Sequence, residues 1–464
     1  MNDDTFDVIV VGARIAGAAL AQRLAGNGLT VALLDAAPLP SGQPMSTHLI
    51  QPPGMDELDA LHSLGVGVGV GVGEQVRALS PTLHSVRMAF DGREIVFPYG
   101  PGRAAHCLRR TELDRLLQDA AVQAGAHLMP ETRVVDVFPG GVVTRDRRLH
   151  APLVVGADGR NSTVAKLVGA QEYLAYDAPR GCYWAYWRRP PRWDPHTVYN
   201  SFDGDDSRVV FPTDGDLLLI ATAPPVERAR AWRDDHAAAY LANIRSHEPI
   251  ASFLADDRPV SEVRGITRCR YFFRVAAGPG WALVGDAGHH KEFIVGLGIT
   301  DALRDARNLA DVIVGGREPE QYWRQRDAAR IELYEWSRDL GAAGPVDPLE
   351  RLVAQRAPHH PDVLGRFGKV IDGELSPSAL VPPALAARWV MAEVLRGRTG
   401  ALRPFLRTAR SEIQRRRRRI DARPGDGLGL GANEKLPRAL GDLGGQLGHR
   451  GTEVGVGNHA ADNP

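Results

Sequence analysis

Val8-Ile9-Val10-Val11-Gly12-Ala13-Arg14-Ile15-Ala16-Gly17 is the stretch that decides the fold of this chain. Four β-branched residues in succession suit a strand buried on both faces, as in a parallel sheet. A glycine-bearing turn follows, and residues 18–25 continue as a helix with one apolar stripe. Val31-Ala32-Leu33-Leu34 makes a second buried strand that ends on Asp35. Strand, turn, helix, strand, acid is the order that a dinucleotide site needs. The turn and the positive helix end offer N–H groups to a pyrophosphate, and the acid, about twenty residues on, accepts hydrogen bonds from a ribose. The Gly-x-Gly-x-x-Gly pattern is met at Gly12 and Gly17, with Arg14 at its middle glycine, so the Arg14 side chain must point away from the phosphates.

Two later stretches again run a buried strand into glycine and aspartate. Leu153-Val154-Val155-Gly156-Ala157-Asp158-Gly159 leads to a helix capped by Asn161 or Ser162. Trp281-Ala282-Leu283-Val284-Gly285-Asp286-Ala287-Gly288-His289-His290 leads through Gly296-Leu297-Gly298-Ile299 into a helix predicted to reach Val314. Between the first two stretches, residues 55–64 read as a helix and the Val-Gly alternation of residues 65–73 as a surface loop. Residues 85–90 and 94–97 flank Asp91-Gly92, a hairpin signal. A helix is predicted to open at Cys107 and run towards Gly125, with Arg109 and Arg110 at its start, either able to reach a phosphate. Residues 132–137 and 141–144 form a predicted hairpin. Short strands at 183–187, 198–202, 209–212 and 217–222 predict a distinct, mostly antiparallel sheet. Tyr183, Trp184, Tyr186 and Trp187 place an aromatic pair on each face of the first of these, one face being a candidate ligand wall. Residues 227–246 read as a helix, and residues 322–419 as mostly helical with breaks at Gly344-Pro345, 358–361 and Pro382-Pro383.

Composition narrows the function class. Lys+Arg and Asp+Glu both total 56, so net charge is zero and no global field argues for nucleic acid or an anionic membrane. The basic run at residues 415–419 has no interleaved aromatics and reads as a solvated helix end. Cys107, Cys182 and Cys269 are far apart, and the adjacent His289 and His290 lack supporting ligands, so neither a disulfide frame nor a metal site is expected. The chain shows no signal-peptide pattern and no apolar run of membrane-spanning length, so a cytoplasmic protein without stable membrane insertion is expected.

Taken together, Gly12 to Gly17 with Asp35, Gly156-Ala157-Asp158-Gly159, and Gly285-Asp286-Ala287-Gly288-His289 with Gly296-Leu297-Gly298 resemble the group A FAD-dependent monooxygenases of the para-hydroxybenzoate hydroxylase type. That superfamily also holds geranylgeranyl reductase-like oxidoreductases and flavin halogenases. The match in order and spacing spans roughly residues 5–330, and one branch of the superfamily shares the Gly-Ala-Arg turn and a Ser-Thr-His loop, here Ser46-Thr47-His48. The resemblance implies an α/β fold: a Rossmann-like FAD-binding domain, an inserted, mostly antiparallel β-sheet substrate domain, and a C-terminal helical region. The FAD-binding parts are then 1–80, 106–170 and 266–330, the substrate sheet 81–105 and 171–265, the helical region 331–423, and 424–464 a disordered, glycine-rich tail.

By the same resemblance, Gly12, Ala13, Ile15, Ala16 and Gly17 hold the FAD pyrophosphate and Asp35 the adenosine ribose. Arg110 contacts a phosphate, and Val134 lies near the adenine. Asp158 and Gly159 serve FAD and the nicotinamide co-substrate, Asp286 the ribityl and pyrophosphate part, and Gly298 and Ile299 offer N–H groups to the flavin pyrimidine edge. The family's proline beside the flavin is Phe293 here and a usual glutamine is Leu297, two positions expected to adjoin the flavin.

The implied reaction uses NAD(P)H and O2 to hydroxylate or epoxidise a hydrophobic or aromatic small molecule, as relatives do in tailoring polyketides and other specialised metabolites. The protein's task is positioning and water exclusion. His48 and His290 are the candidate catalytic residues, for deprotonating a phenol or steadying activated oxygen. A flavin-dependent reductase of the geranylgeranyl type and a flavin-binding protein without turnover are the competing readings. A halogenase fits less well, because no lysine precedes Lys166 and no Trp-x-Trp-x-Ile-Pro occurs.

Overall fold

A computed structural model describes residues 4–40, 46, 48–62, 70–254 and 257–410. Thr47, the Val-Gly repeat through residue 69, the basic run at 415–419 and the tail 424–464 lie outside the described residues.

Val8–Val11 is the hub of a six-stranded sheet. It pairs in parallel with Val31–Leu34 on one side and Leu153–Gly156 on the other, Val8 standing opposite both Val31 and Leu153. Trp281–Leu283 joins beyond Leu153–Gly156 and His127–Met129 beyond Val31–Leu34, also in parallel. The short Ala277–Gly278 strand closes one edge as an antiparallel hairpin. All three sequence stretches therefore end at the same edge of one sheet, where open α/β sheets bind ligands.

The helix Ile15–Gly26 packs on this sheet through small residues. A side chain at Gly17 would strike the Gly12 carbonyl oxygen, so glycine there sets how closely helix and strand approach. The helix Gly298–Val314 lies beside it and carries its own buried apolar stripe, from Ile299 and Leu303 to Leu309 and Val312.

The second sheet has seven strands, in the order Arg264–Ile266, Cys182–Arg188, Leu217–Thr222, Asp206–Thr213, Thr197–Asp203, Ser85–Phe90 and Arg93–Pro98. The hairpin at Asp91-Gly92 is present, both residues having positive φ. The run from 182 to 222 is antiparallel, and Thr197–Asp203 accepts Ser85–Phe90 as a parallel neighbour. On the outer face Trp187 donates Nε1–H to the Tyr240 hydroxyl (2.9 Å) of the helix His236–Arg245, and Tyr183 donates to Ala229 O (2.7 Å). The inner face, with Trp184, Phe211 and Leu219, packs against Ile294, Val295 and Leu297 and against the C-terminal helices.

Some expectations shift. The first helix after Asp35 begins at Pro52, three residues before Met55, because proline suits a first helical position whose N–H has no helical partner. Val72 and Gly73, expected in the loop, instead open the helix Val72–Leu79, with the Val72 side chain buried. Cys107 does not open a helix. Ala105–Cys107 pairs with Leu49–Ile50 as a strand, and the helix starts at Arg110. The predicted helix 227–246 is three pieces, Val226–Ala231, Arg233–Asp235 and His236–Arg245, the last capped by Asp235 accepting from Ala238 N (3.0 Å). Among the described residues, no helix is long and apolar enough to cross a membrane.

Candidate functional site

The ends of the three parallel strands enclose a cavity of about 580 Å³. Gly12, Ile15, Ala16, Asp35, Arg110, Val134, Asp158, Gly159, Asp286, His290, Gly298 and Ile299 all line it. Gly12 and Ile299, at opposite ends of the matched stretches, thus meet at one place. Ala13, Gly17 and His48 are outside its wall.

The first turn is built for close approach. Gly12 has φ +107°, a conformation L side chains rarely adopt, and a Cβ there would lie 2.5 Å from the Ala157 carbonyl oxygen. Asp35 braces the turn: Oδ2 accepts the Ala13 N–H (2.9 Å) and Oδ1 accepts the Ala37 N–H (2.9 Å). Each carboxylate oxygen keeps a further lone pair for a ligand hydroxyl. Gln118 Nε2 donates to Ala13 O (2.7 Å), so Ala13 is engaged through both its backbone groups. Neither the helix Ile15–Gly26 nor the helix Gly298–Val314 has a side-chain cap, and both begin on the cavity. Their leading N–H groups have no intrahelical acceptor and favour negative charge.

Arg110 lines the cavity while its Nε and Nη2 hold the buried Asp114 carboxylate at 2.9–3.1 Å. Arg109 turns away, its Nε donating to Asp214 Oδ2 (2.7 Å). Of the two arginines, Arg110 is therefore the one placed to meet a ligand. Asp158 spends its carboxylate locally, accepting from Ser162 Oγ (2.5 Å), Thr163 N (2.6 Å) and Val164 N (3.2 Å) at the start of the helix Thr163–Leu167. Ser162 is that helix's cap, accepting from Ala165 N (2.9 Å).

The third stretch holds the strongest electrostatics. Asp286 is 47% exposed, as a side chain open to the cavity, and His290 Nδ1 lies 3.3 Å from its Oδ2. Burial raises the Asp286 pKa, but the neighbouring His290 outweighs it and brings the carboxyl down to about 2. Burial acts against the His290 cation, yet Asp286 and the Cys269 thiol, 3.4 Å from Nε2, raise it to about 9. The raised pKa favours the imidazolium form of His290, which suits steadying activated oxygen more than deprotonating a phenol, the two roles expected of it. Next to it, Lys291 is buried against Asp301, and desolvation with Arg330 nearby lowers it to about 7. Burial raises Glu292 to about 7 despite its bonds with Tyr271 and Phe293 N. His289 stacks on Phe273 and lies between Asp301 and Asp305, its pKa lowered by burial. Lys291 and Glu292 both line the cavity, although sequence reasoning did not select them. Their signal was a charged pair set between two glycine turns, directly after His289 and His290. Among the described residues, no cluster of metal-ligating side chains occurs.

His48 is buried at φ +63°, its ring stacked on Tyr186 (5.7 Å, 9°) with Nε2 hydrogen-bonded to the Tyr186 hydroxyl. Burial, with Arg110 nearby, lowers its pKa to about 3, so the ring is neutral. Its Nδ1 is buried without a hydrogen-bond partner among the described residues. Tyr186 itself does not line the cavity. Phe293 does, whereas Leu297 is buried in the core against the seven-stranded sheet. The Leu297 side chain joins that core, while its neighbours Gly296 and Gly298 line the cavity.

These features fit FAD. The turn tolerates no side chain at Gly12, an acid stands at the end of the second strand, and a Cβ at Gly159 or Gly298 would meet no atom within 4 Å. An FAD-binding-domain model matches residues 5–321. The chain is 28% identical over 338 residues to the menaquinone reductase of Mycolicibacterium smegmatis, covering 67% of this chain and 76% of that one. It is 25% identical over 348 residues to the 3-demethoxyubiquinol 3-hydroxylase of Escherichia coli, covering 70% and 83%. In fold it matches a flavoprotein/dehydrogenase from Cytophaga hutchinsonii with a TM-score of 0.71 at 17% identity, over 84% of this chain and all of that one (100%). With the strand-end turns, the braced Gly12 loop and the family match agreeing over the same residues, the chain belongs to the FAD-binding-domain family of group A flavoprotein monooxygenases, of the para-hydroxybenzoate hydroxylase type, and is an FAD-dependent oxidoreductase.

Proposed function

We propose that this protein is an NAD(P)H-dependent monooxygenase acting on a hydrophobic ring of phenolic or quinoid type. One observation carries the reading: twelve candidate residues from three strand ends, two uncapped helix starts and Asp35 converge on one 580 Å³ cavity, behind which an aromatic-bearing sheet packs on Ile294 and Val295. The two sequence relatives, named for a menaquinone and a demethoxyubiquinol, support a ring of that class.

FAD, when bound, supplies hydride acceptance from NAD(P)H and activation of O2. The chain supplies placement and charge. Gly12, Ile15 and Ala16 present N–H groups to the pyrophosphate, and Ala13 and Gly17 set the turn's shape. Asp35 accepts from ribose hydroxyls, Arg110 meets a phosphate and Val134 borders the adenine. Asp158 and Gly159 border both cofactors, Asp286 accepts from ribityl hydroxyls, and Gly298 and Ile299 donate to ring oxygens. His290 contributes fixed positive charge beside Asp286. His48, neutral and tied to Tyr186, holds or passes a proton at Nδ1. Ile294, Val295, Trp336 and Leu340 exclude water on the sheet side.

The test is an absorbance spectrum of the purified protein, followed by NAD(P)H oxidation under 18O2 with phenols and hydroquinones. Bound flavin with 18O in the product supports the reading, and absence of flavin after reconstitution overturns it. A reductase of the geranylgeranyl type is the second reading, favoured by Phe293 and the reductase relative. Reduced product without O2 uptake would select it, and flavin retained without any NAD(P)H oxidation would leave a binding protein.

A further inference from the structure

Cys269 stands at the head of the strand Arg270–Arg274, which pairs antiparallel with both Glu172–Asp177 and His289–His290. Its carbonyl accepts the Ala178 N–H (2.8 Å), so the backbone there is tied down beside the strand. The register that sets Phe272 opposite His290 also seats the histidine ring against Tyr271 and Phe272, at 5.3 and 6.2 Å. In that seat Nδ1 faces Asp286 Oδ2 (3.3 Å) and Nε2 faces Cys269 Sγ (3.4 Å). Arg160 Nη1 donates to the same sulfur at 3.9 Å. Asp286, His290 and Arg160 line the cavity, and Cys269 stands next to them, half-buried and outside the wall.

Thiol, imidazole and carboxylate in a row are the parts of an activated nucleophile. The carboxylate fixes a proton on Nδ1, so Nε2 is the nitrogen that takes the proton from sulfur. Burial works against a charged ring here, but Asp286 and the sulfur raise His290 to about 9, so the ring keeps the proton it takes. The thiolate, not the thiol, is the reactive form of cysteine. The other two cysteines are set differently: burial pushes the Cys182 thiol up to about 12 and holds Cys107 well above the ordinary thiol range.

We propose that Cys269 is a peroxide-reactive thiol, deprotonated by His290 and oxidised by hydrogen peroxide to a sulfenic acid at the edge of the cavity. The sulfur attacks one peroxide oxygen, and an S–O bond forms as the O–O bond breaks. The other oxygen leaves with the bonding electron pair, takes the proton from His290 Nε2 and departs as water. Sulfur is oxidised by two electrons and the peroxide is reduced by two. The Arg160 guanidinium, already on the sulfur, donates to the oxygens as charge moves onto them. A small oxidant suits the site, because the sulfur is partly covered and is not itself part of the cavity wall. The proposal stands apart from the substrate reading, since it needs neither NAD(P)H nor an aromatic ring.

The test exposes the FAD-loaded protein to hydrogen peroxide with a dimedone probe, which caps sulfenic acids, and follows each cysteine by peptide mass spectrometry. Cys269 should label about a hundredfold faster than Cys182 or Cys107, and dithiothreitol added before the probe should abolish the label. His290→Gln should slow Cys269 by a similar factor and leave Cys182 unchanged, the Cys182 rate reporting whether the fold has opened. Labelling of Cys269 no faster than that of Cys182, an unchanged Cys269 rate in His290→Gln, or peroxide treatment that yields no dimedone adduct would overturn the proposal. The wild-type ranking is a test by itself, because three thiols in one polypeptide need no variant to fold. None of these outcomes bears on the monooxygenase reading, which the flavin spectrum and the 18O experiment decide.

Discussion

Replacing Gly12 by alanine should separate the fold from the cofactor when it is set beside Gly298→Ala. At Gly12 the φ of +107° is strained for any L side chain, at about 1–3 kcal/mol. The new Cβ would lie 2.5 Å from Ala157 O, 2.7 Å from Ala157 C and 2.9 Å from Asp158 Cα, all backbone atoms that cannot rotate away. Relief requires the two strand ends to part, which loosens the Ala157 N–H to Val11 O bond (2.7 Å), a further ~1 kcal/mol. The sum, about 2–4 kcal/mol, is a large fraction of the roughly 5–15 kcal/mol that holds a typical protein folded. At Gly298, by contrast, a Cβ meets nothing within 4 Å and the residue opens a helix. Alanine there should leave apoprotein stability unchanged or slightly higher, yet put a methyl group into the cavity. The assay is apoprotein Tm by scanning calorimetry together with FAD titration followed by flavin fluorescence. Gly12→Ala should lower Tm by several degrees and lose flavin, while Gly298→Ala should keep Tm and weaken FAD binding. A Gly12→Ala protein with wild-type Tm and full flavin would refute the argument, as would unchanged FAD affinity in Gly298→Ala.

The His290–Asp286 pair makes stability pH-dependent. The folded His290 pKa of about 9 stands above its ordinary 6.5, so its contribution is full below pH 6.5 and is lost as pH rises through 9. Converted directly, the shift amounts to about 3 kcal/mol from the histidine side and about 2 from the aspartate side. Because Asp286 is 47% exposed, we take about 1–2 kcal/mol as the pair's contribution. Tm measured at pH 6 and pH 9.5 should fall in the wild type and much less in His290→Gln; equal falls would count against the pair. Tyr186→Phe strips His48 Nε2 of its partner and should cost about 1–3 kcal/mol, read as a lower denaturation midpoint with normal secondary structure. Arg180, buried, donates to Gly341 O, Ala342 O, Asp205 O and Ala223 O at 2.7–3.2 Å. Arg180→Met leaves four carbonyls without a donor and should destabilise by about 3 kcal/mol or more, and a wild-type midpoint would show that water replaces the guanidinium.

The cavity's walls were legible because their chemistry is local. Val8–Val11, Leu153–Gly156 and Trp281–Leu283 are short apolar runs that end in glycine and acid, and each turn follows its own strand. What was not legible depended on distant partners. Cys107 reads as a helix start until Leu49 is known to pair with it. Arg109 and Arg110 are adjacent, and only the positions of Asp214 and Asp114 decide which one faces the cavity. The charge state of His290 depends on Asp286 and Cys269, which the fold brings to its two ring nitrogens.

The order of strands in the two sheets has a consequence for how the protein is made. Val8–Val11 leaves the ribosome well before its neighbour Leu153–Gly156 and the next strand, Trp281–Leu283. At about 5–20 residues per second, the hub strand waits on the order of half a minute for its last companions. Ser85–Phe90 must likewise remain unpaired on one side until Thr197–Asp203 arrives. The chain cannot complete one sheet before beginning the other, so a nascent polypeptide stalled near its midpoint would expose two unfinished, apolar strand edges at once. Such a polypeptide would need a holding chaperone before it needs any flavin.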